Sequence, residues 1–411
     1  MDILAMILAG ARVDDLGVLT FFRPKSAMPY GGLYRIIDFP MSNLMYSGID
    51  KVGILSQYKP LYLMEHMRNG EPWDMAGRNR FVTILPPFKG MGTSDWYQGT
   101  ADAVYQNLDF LSQHKPDLIL VLSGDHIYKM NYQEIIRFHI EKNADLTIAF
   151  ARVPKEDAHR FGLATIEEGD SRGGRVLQYL EKSDKTLSEW ASLTIYVFTP
   201  YALFEALRKN SGETSHEFGK DIIPYLLANN YKVFGYKHHG YWGYTRTLQE
   251  YWQTSMDLLG NHPEIDVSSW HICTNLSNFH IRDRQPALIG DDATVEDSLL
   301  YSGCKIKGRV SRSILFPGVK IENQAIVEDS IIFSNSVVKK NAKIIKTIID
   351  EDVTVGVNTE IGENNGRDIT VIGMGTRIAR DRKILSGVTV YPNLGPANFI
   401  KSIYNTGEII K

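Results

Sequence analysis

The sequence is poor in cysteine, in long apolar runs and in any surplus of charge. Its 411 residues hold two cysteines, Cys273 and Cys304. That is too few for a disulfide scaffold, and the two are not spaced as a C-x-x-C pair, so neither an oxidising compartment nor a zinc cage is indicated. Nowhere do ~18 apolar residues run together. The opening MDILAMILAG is interrupted by Gly10 and carries no basic leader, so a cytoplasmic protein without a membrane span is expected. Forty-five basic against forty-eight acidic side chains leave a net charge of −3, which argues against nucleic-acid binding by bulk charge. No histidine follows His280.

At ~100–200 residues per domain the length accommodates two or three domains, and two kinds of pattern occupy it. Up to about residue 260, short apolar runs alternate with amphipathic stretches. Ile3 to Leu8, Lys51 to Leu55, Leu118 to Leu122 and Leu146 to Phe150 are continuous enough for strands buried on both faces. Between them, Ala101, Val104, Leu108 and Leu111 recur at helical spacing within residues 101–114, and residues 132–142 repeat the pattern. Such alternation implies an α/β fold with a mostly parallel sheet and ligands at the carboxyl ends of its strands.

From about Leu288 the grammar changes. Ser298-Leu-Leu, Ser313-Ile-Leu, Ser330-Ile-Ile and Thr347-Ile-Ile recur at offsets of 15, 17 and 17. A period near 17 built from six-residue units is the mark of a parallel β-helix, whose stacked coils share an interior that one coil cannot bury alone. A sandwich of evenly spaced antiparallel strands is the alternative. The expected division is residues 1–260, a connector at 261–286, and repeats over 287–411.

Three short segments carry candidate chemistry. Asp125, in SGDHIY after the run LILVL, stands where a strand end meets ligand. A carboxylate there suits Mg²⁺, which takes one or two protein carboxylates and completes its octahedron with phosphate and water; a turn or cap Asp is the plainer reading. WYQGTADAV (residues 96–104) places aromatics, Gly99 and Thr100 before a helix whose first N–H groups lack partners; an ordinary capped helix would look the same. Glu181 and Lys182 end RVLQYLEK, pairing an acceptor for sugar hydroxyls with a cation for phosphate, or forming only an exposed charged pair.

Taken together these segments, with YRIIDFPMSN (34–43), Phe161-Gly162, HEFGKDIIP (216–224) and Tyr251-Trp252, resemble bacterial glucose-1-phosphate adenylyltransferases. The resemblance implies a GT-A-like, Rossmann-like nucleotidyltransferase domain followed by a left-handed parallel β-helix. It implies the joining of ATP to glucose 1-phosphate with release of pyrophosphate, supplying ADP-glucose for glycogen synthesis. Tyr97, Gly162, Glu181, Lys182 and Ser192 would contact the sugar phosphate, and Leu8, Ala9, Gly10, Gly99 and Thr100 the nucleotide. Asp125 would be the catalytic, metal-binding aspartate, with Mg²⁺ as its ion. Lys25 in RPKSAMPYGG matches a lysine implicated in activator or phosphate binding. Homo- or hetero-tetramers with a small-molecule allosteric effector between their domains are usual in this family.

The sequence departs from the family pattern in two places. Where the family has L-A-G-G-x-G-T-R-L-x-x-L-T, residues 8–20 read LAGARVDDLGVLT. Ala11 and Val13 replace glycines, and Asp14-Asp15 replaces Thr-Arg. Where the family has Y-W-R-D-V-G-T-L, residues 241–248 read YWGYTRTL. Tyr244 replaces the aspartate expected to share the metal, and Arg246 replaces a glycine. Lesser changes are Ser183 for a proline and Thr194 for a glycine. Two readings follow: a divergent adenylyltransferase with a rebuilt triphosphate site, or a catalytically weak subunit that modulates an active homologue. A hexapeptide acyltransferase is a third, but such enzymes rely on a histidine base between coils, and His280 precedes the repeats.

Overall fold

The computed structural model describes residues 1–10, 13–88, 96–183, 188–277, 281 and 283–411. By internal contacts the chain divides into two units that interleave in sequence: Met1–Ala11 with Phe39–Trp242, and Arg12–Asp38 with Gly243–Lys411.

The first unit is built on the apolar runs. Ile3–Leu8 (β1), Lys51–Leu55 (β2), Phe81–Leu85 (β3), Leu118–Ser123 (β4), Leu146–Arg152 (β5), Gly162–Ile166 (β6), Gly173–Glu181 (β7), Trp190–Phe198 (β8) and Val233–Lys237 (β9) form a nine-stranded sheet. Their order is β3-β2-β1-β4-β8-β5-β9-β7-β6. The four strands β3, β2, β1 and β4 run parallel, and β4 is buried along its whole length, as an apolar strand without alternation must be. The sequence pattern implies a mostly parallel sheet; the observed sheet is mixed. β8 runs antiparallel to both β4 and β5, and β7 antiparallel to β6 and β9. β6, β7 and β8 follow one another with no helix among the described residues between them, and strands joined without a crossover helix pair antiparallel.

The helical stretch expected over residues 101–114 is two helices, Thr100–Tyr105 (α1) and Leu108–His114 (α2). The break falls at Asn107, whose amide donates back to the Ala103 carbonyl (2.8 Å) and to the Tyr97 hydroxyl (3.0 Å), the competition with the helix ladder that asparagine offers. Tyr132–Glu141 (α3) is capped by Asn131, which accepts from the Gln133 N–H. Ala101, Val104 and Leu111 reach the core; Leu108 packs on its edge.

In the second unit the repeats form a parallel β-helix of three sheets with five, seven and seven short strands. Leu299 stands opposite Ile314, Ile314 opposite Ile331, and Ile331 opposite Ile348, the offsets read from the sequence. Inward-pointing Ile306, Val310, Leu315, Ile321, Val327 and Ile332 share one buried interior. The repeated Ser-Ser-Ser-Thr column has its own physics. Each coil turns a corner through a residue with left-handed backbone, Asp297, Arg312, Asp329 and Lys346 (φ 43–49°). The hydroxyl that follows bonds its own coil: Ser313 donates to Ser311 O (2.7 Å), Ser330 to Glu328 O (2.6 Å) and Thr347 to Ile345 O (2.7 Å). It also accepts an N–H of the next coil, Ser298 from Ser313, Ser313 from Ser330 and Ser330 from Thr347 (3.0, 3.1 and 3.2 Å). The stack runs on past the four legible copies: Ile348 pairs with Val371, Val371 with Thr389 and Thr389 with Ile409. These later coils are longer and differ in composition, so self-alignment misses them.

The segment Arg12–Asp38 packs into this second unit through buried charge. Arg23 is 1% exposed. Its guanidinium meets Asp350, lies 3.3 Å from Glu351, donates to the Leu19 carbonyl (3.2 Å) and stacks 5.6 Å from the Phe333 ring. Arg35 approaches the same Glu351 at 3.8 Å. Gly31 and Gly32 take left-handed backbone (φ 56° and 84°), and a Cβ on Gly32 would lie 1.8 Å from the Tyr301 ring, whose hydroxyl donates to the Gly31 carbonyl. Leu248–Met256 (α4) joins them: Tyr251 donates to Pro29 O, and Trp252 Nε1 to Asp329 O at 2.7 Å.

Burial pushes Asp350 up to about 6 against the opposing pull of Arg23. A carboxylate raised in the folded state binds protons more tightly there than when unfolded, so its contribution to stability falls as pH rises from the ordinary carboxylate range through about 6. Arg23→Met leaves Asp350 and Glu351 buried without their main cation. It should cost about 3–5 kcal/mol at pH 7 in urea unfolding, and a smaller deficit at pH 5, where Asp350 protonates. An equal deficit at both pH values would show that the carboxylates are not carrying the loss.

Candidate active site

The carboxyl edge of the parallel strands gathers the expected nucleotide residues of the first unit. Leu8, the last residue of β1, stands opposite Ser123 of β4, and the Gly124 N–H donates to the Leu8 carbonyl at 2.9 Å. A Cβ on Gly124 would lie 2.8 Å from Ile7, and one on Gly10 2.9 Å from the Gln57 nitrogen, so both glycines let neighbouring strand ends close together. Ala9 donates to Leu55 O at 2.9 Å. Asp125 follows immediately: the Ser123 hydroxyl donates to its Oδ1, and His126 Nε2 lies 3.5 Å from the same oxygen. The carboxylate is partly exposed, at 23%, and oriented by a neighbour, the two conditions for an oxygen ligand at a strand end.

WYQGTADAV is held from two sides. Gln57 brackets Tyr97, accepting from its N–H (2.8 Å) and donating to its carbonyl (3.3 Å). The buried Tyr97 hydroxyl donates to Leu85 O at 3.0 Å and accepts from Asn107, and burial raises its pKa. Its polar contacts are therefore with the end of β3 and with the helix break. HEFGKD holds the other side. Ala101 N donates to His216 O (2.8 Å), Thr100 donates through N–H and hydroxyl to Glu217, and Phe218 N returns a bond to the Thr100 oxygen (3.1 Å). A Cβ on Gly99 would stand 2.2 Å from His216 O, which is why glycine precedes the helix. Asn43 of YRIIDFPMSN donates to Tyr128 O (3.0 Å) and accepts from Met130 N (3.2 Å), tying that motif to SGDHIY.

The sugar-phosphate candidates Gly162, Glu181, Lys182 and Ser192 meet on β6, β7 and β8. Glu181 pairs with Gly162 in register. Its carboxylate accepts from Tyr179 OH at 2.7 Å and lies where a Cβ on Gly162 or Gly219 would intrude, at 2.5 and 2.1 Å. Lys182 takes left-handed backbone (φ 44°), donates its N–H to Phe161 O (3.1 Å) and keeps its ammonium 3.9 Å from Glu181, more than half exposed. Ser192 is buried beside the Tyr179 and Tyr196 hydroxyls, whose pKa values burial raises. Sequence reading named neither Tyr179 nor Gln57, nor assigned Gly219 and Glu217 a role. The last two lie in HEFGKD, which was visible; Tyr179 and Gln57 carried no local signal.

The remaining candidate, Lys25, belongs to the second unit. It is buried, with its ammonium 5.1 Å from the centre of the Tyr244 ring. The departures at Asp14, Asp15, Tyr244 and Arg246 lie in this unit too. Asp15 pairs with Arg246 at 3.1 Å, and Arg246 is also hydrogen-bonded by Tyr244, which raises its pKa. Ala11 and Arg12 lie outside the described residues. The hydroxyl of Tyr244 replaces a carboxylate and is a poor ligand for a hard cation. Among the described residues no three His, Cys, Asp or Glu side chains cluster as a metal cage. Asp125, partly exposed and oriented by the Ser123 hydroxyl, is a carboxylate of the kind that could hold a hard cation with phosphates and water completing its shell.

Thr194 occupies a position that the family gives to glycine, and its backbone shows why: φ is +53°, beside the register shift between Ser192 and Tyr196. A β-branched residue there stores about 1–3 kcal/mol of strain, offset by its hydrogen bond to Tyr196 and by the backbone entropy that glycine would lose. Thr194→Gly should raise the urea midpoint by the equivalent of about 0.5–1 kcal/mol with an unchanged m-value. A loss of stability would show that the bulge absorbs the strain.

Comparison with known proteins agrees with this geometry. The Nucleotidyl transferase family matches residues 4–261, and a GlmU-like, C-terminal hexapeptide family matches residues 287–375. The chain is 39% identical over 99% of both chains to a glucose-1-phosphate adenylyltransferase of Acetivibrio thermocellus. It is 42% identical to that of Desulforamulus reducens, over 88% of each chain, and 42% identical to one from Clostridium perfringens, over 89% of this chain and 91% of the relative. A nucleotidyltransferase domain followed by a left-handed hexapeptide β-helix, alike over almost the full length of these relatives, places this chain in the glucose-1-phosphate adenylyltransferase family.

Proposed function

We propose that this protein transfers the adenylyl group of ATP to glucose 1-phosphate, releasing pyrophosphate and supplying ADP-glucose for glycogen synthesis. A phosphate oxygen of glucose 1-phosphate attacks the α-phosphorus; the bond from that phosphorus to the bridging oxygen breaks, and pyrophosphate leaves with the electron pair. The protein's task is to align two anions and offset their charge. The observation that carries the reading is the Gly162–Glu181–Lys182–Ser192 cluster. Its carboxylate is fixed by Tyr179 and two close glycines, and an exposed ammonium stands beside it. Glu181 suits sugar hydroxyls, Lys182 and Ser192 the phosphate, and Tyr97 the wall beside them. Leu8, Ala9, Gly10, Gly99 and Thr100 would line the nucleotide. Asp125 would hold Mg²⁺, which supplies positive charge against the phosphates when bound. Lys25 is proposed to serve catalysis or an anionic effector from the second unit.

The same reading proposes a homo- or hetero-tetramer under small-molecule control, acting in the cytoplasm. It assigns catalysis to residues 1–260 and assembly to residues 287–411, joined by a connector at 261–286. No described helix is long and apolar enough to cross a membrane. A second reading, a catalytically weak subunit that modulates an active homologue, is favoured by one observation: Asp15 and Tyr244 stand where the pattern calls for a cation and a metal ligand, and they contact Arg246 instead.

Forward and pyrophosphorolysis assays with Mg²⁺ decide between them. The first reading expects turnover by the chain alone, a fall of at least about 100-fold in kcat for Asp125→Asn, and for Lys182→Gln a rise in KM for glucose 1-phosphate of about tenfold or more. Absence of turnover alone, with changed kinetics of an active homologue on mixing, would select the second reading.

A further inference from the structure

The first interval of the repeat, 15 residues against 17 for those that follow, has a single structural origin. Between Leu288–Ile289 and Thr294–Glu296, and again between Lys320–Ile321 and Ile326–Glu328, the chain turns one corner of the β-helix in four residues. Between Lys305–Ile306 and Arg309–Ser311 it turns the same corner in two, Lys307 and Gly308. The strands on either side keep their register with both neighbouring coils, so the short corner sits back between two longer ones. Gly308 permits this, since a Cβ there would lie 2.2 Å from the Ala325 carbonyl oxygen of the next coil. The result is an open notch of about 1060 Å³ within the second unit.

The notch is lined by Lys305, Lys307, Arg309, Lys320 and Lys340, against two carboxylates, Asp292 and Glu322. Glu322 is already engaged: it pairs with Lys339 at 2.7 Å and accepts the Lys340 N–H at 3.0 Å. Lys305 stands directly opposite Lys320 in the parallel ladder, about 4.8 Å along the stack, and like charges so placed repel. Elsewhere the outside of the β-helix avoids this. Glu360 stands between Lys343 and Lys383, and Arg312 meets Asp329 at 2.6 Å. Among the described residues no carboxylate pairs with Lys305, Lys320 or Lys340. No aromatic side chain lines the notch, so nothing there would stack a base. Thr294 and Asn323 bring a hydroxyl and an amide to its walls.

We infer that this notch binds a small anion carrying two or more phosphate groups and no base, the chemistry shared by a sugar bisphosphate and a short inorganic polyphosphate. Ammonium groups hold phosphate as point charges, and such a ligand supplies the negative charge that the Lys305–Lys320 stack lacks. Every lining residue belongs to the second unit, so the site is complete without the sugar-phosphate cluster of the first and does not depend on turnover. Occupancy stabilises the first coils of the β-helix by mass action.

The test is calorimetric titration of the full chain, without Mg²⁺, with inorganic tripolyphosphate and separately with glucose 1,6-bisphosphate. At least one should bind saturably; the tighter of the two names the source of the phosphates. The variant Lys305→Gln with Lys320→Gln should weaken that binding by about tenfold or more and flatten its salt dependence. Lys343→Gln with Lys383→Gln, which removes two cations that face Glu360 on the same β-helix, should leave it unchanged, as should Lys182→Gln in the first unit. Inserting Asn-Gly between Lys307 and Gly308 restores a four-residue corner and removes no cation; it should abolish binding by filling the notch. Saturable binding of neither anion would overturn the inference. So would equal losses in the two lysine pairs, which would mean diffuse charge, or full binding by the inserted variant, which would mean that the notch is not the seat. Should the insertion impair folding, the two lysine pairs decide alone, since their side chains are exposed.

Discussion

Burial of Arg23 against Asp350 and Glu351 is the constraint on which the second unit depends. Charges removed from water must find partners or change state, and here the partners are separated by more than three hundred residues of sequence. The segment that follows β1 therefore belongs by contacts with the β-helix, although in sequence it continues the first strand of the sheet. Placing Arg23 also places Lys25, two residues on, and the Gly31-Gly32 turn against Tyr301. Asp15 is brought within reach of Arg246 by the same packing of residues 13–38 with residues from Gly243 onward. The buried pair fixes where the second unit's cations stand.

What the sequence could disclose follows from how local each signal is. β1, β2, β4 and β5 were legible because a strand buried on both faces has no choice but to be apolar throughout. The first β-helix coils were legible because corner hydroxyls and inward isoleucines repeat at a fixed spacing. The antiparallel entry of β8 was not, because pairing direction depends on what joins the strands rather than on their composition. Asp125, Glu181 and Lys182 announced themselves at the ends of apolar runs. Gln57 and Tyr179 did not, since a residue that orients another by one hydrogen bond leaves no pattern of its own. The glycines were half legible: Gly162 and Gly219 stand in recognisable motifs, but that both make room for one carboxylate is a fact of the fold.

The two candidate regions of the first unit are made differently. The sugar-phosphate cluster is set by packing: Glu181 is confined by tyrosine and by backbone, so its geometry is inherited from the sheet and survives change elsewhere. The strand-end loops after β1 and β4 are set by close approach of backbone, with one carboxylate, Asp125, exposed among them. A region fixed by packing tolerates little substitution at its glycines, whereas one whose chemistry rests on exposed charges admits exchange of those charges. That difference suits a chain that keeps the five positions expected to meet sugar phosphate and alters the residues following Gly10.

The hydroxyl column at the corners of the β-helix has a consequence for how this half of the protein changes over time. Ser298, Ser313 and Ser330 each bond both their own coil and the next, so these coils are held chiefly by their immediate neighbours, as in other linear arrays. An added loop at one corner, such as the longer span between Ile348 and Val371, leaves the register of the remaining coils intact. A single residue inserted within a strand does not, because it turns the inward isoleucines out and the outward lysines in. Lineages can therefore lengthen or shorten this half by whole turns, and the reading frame of the array, rather than any one side chain in it, is what selection has to guard.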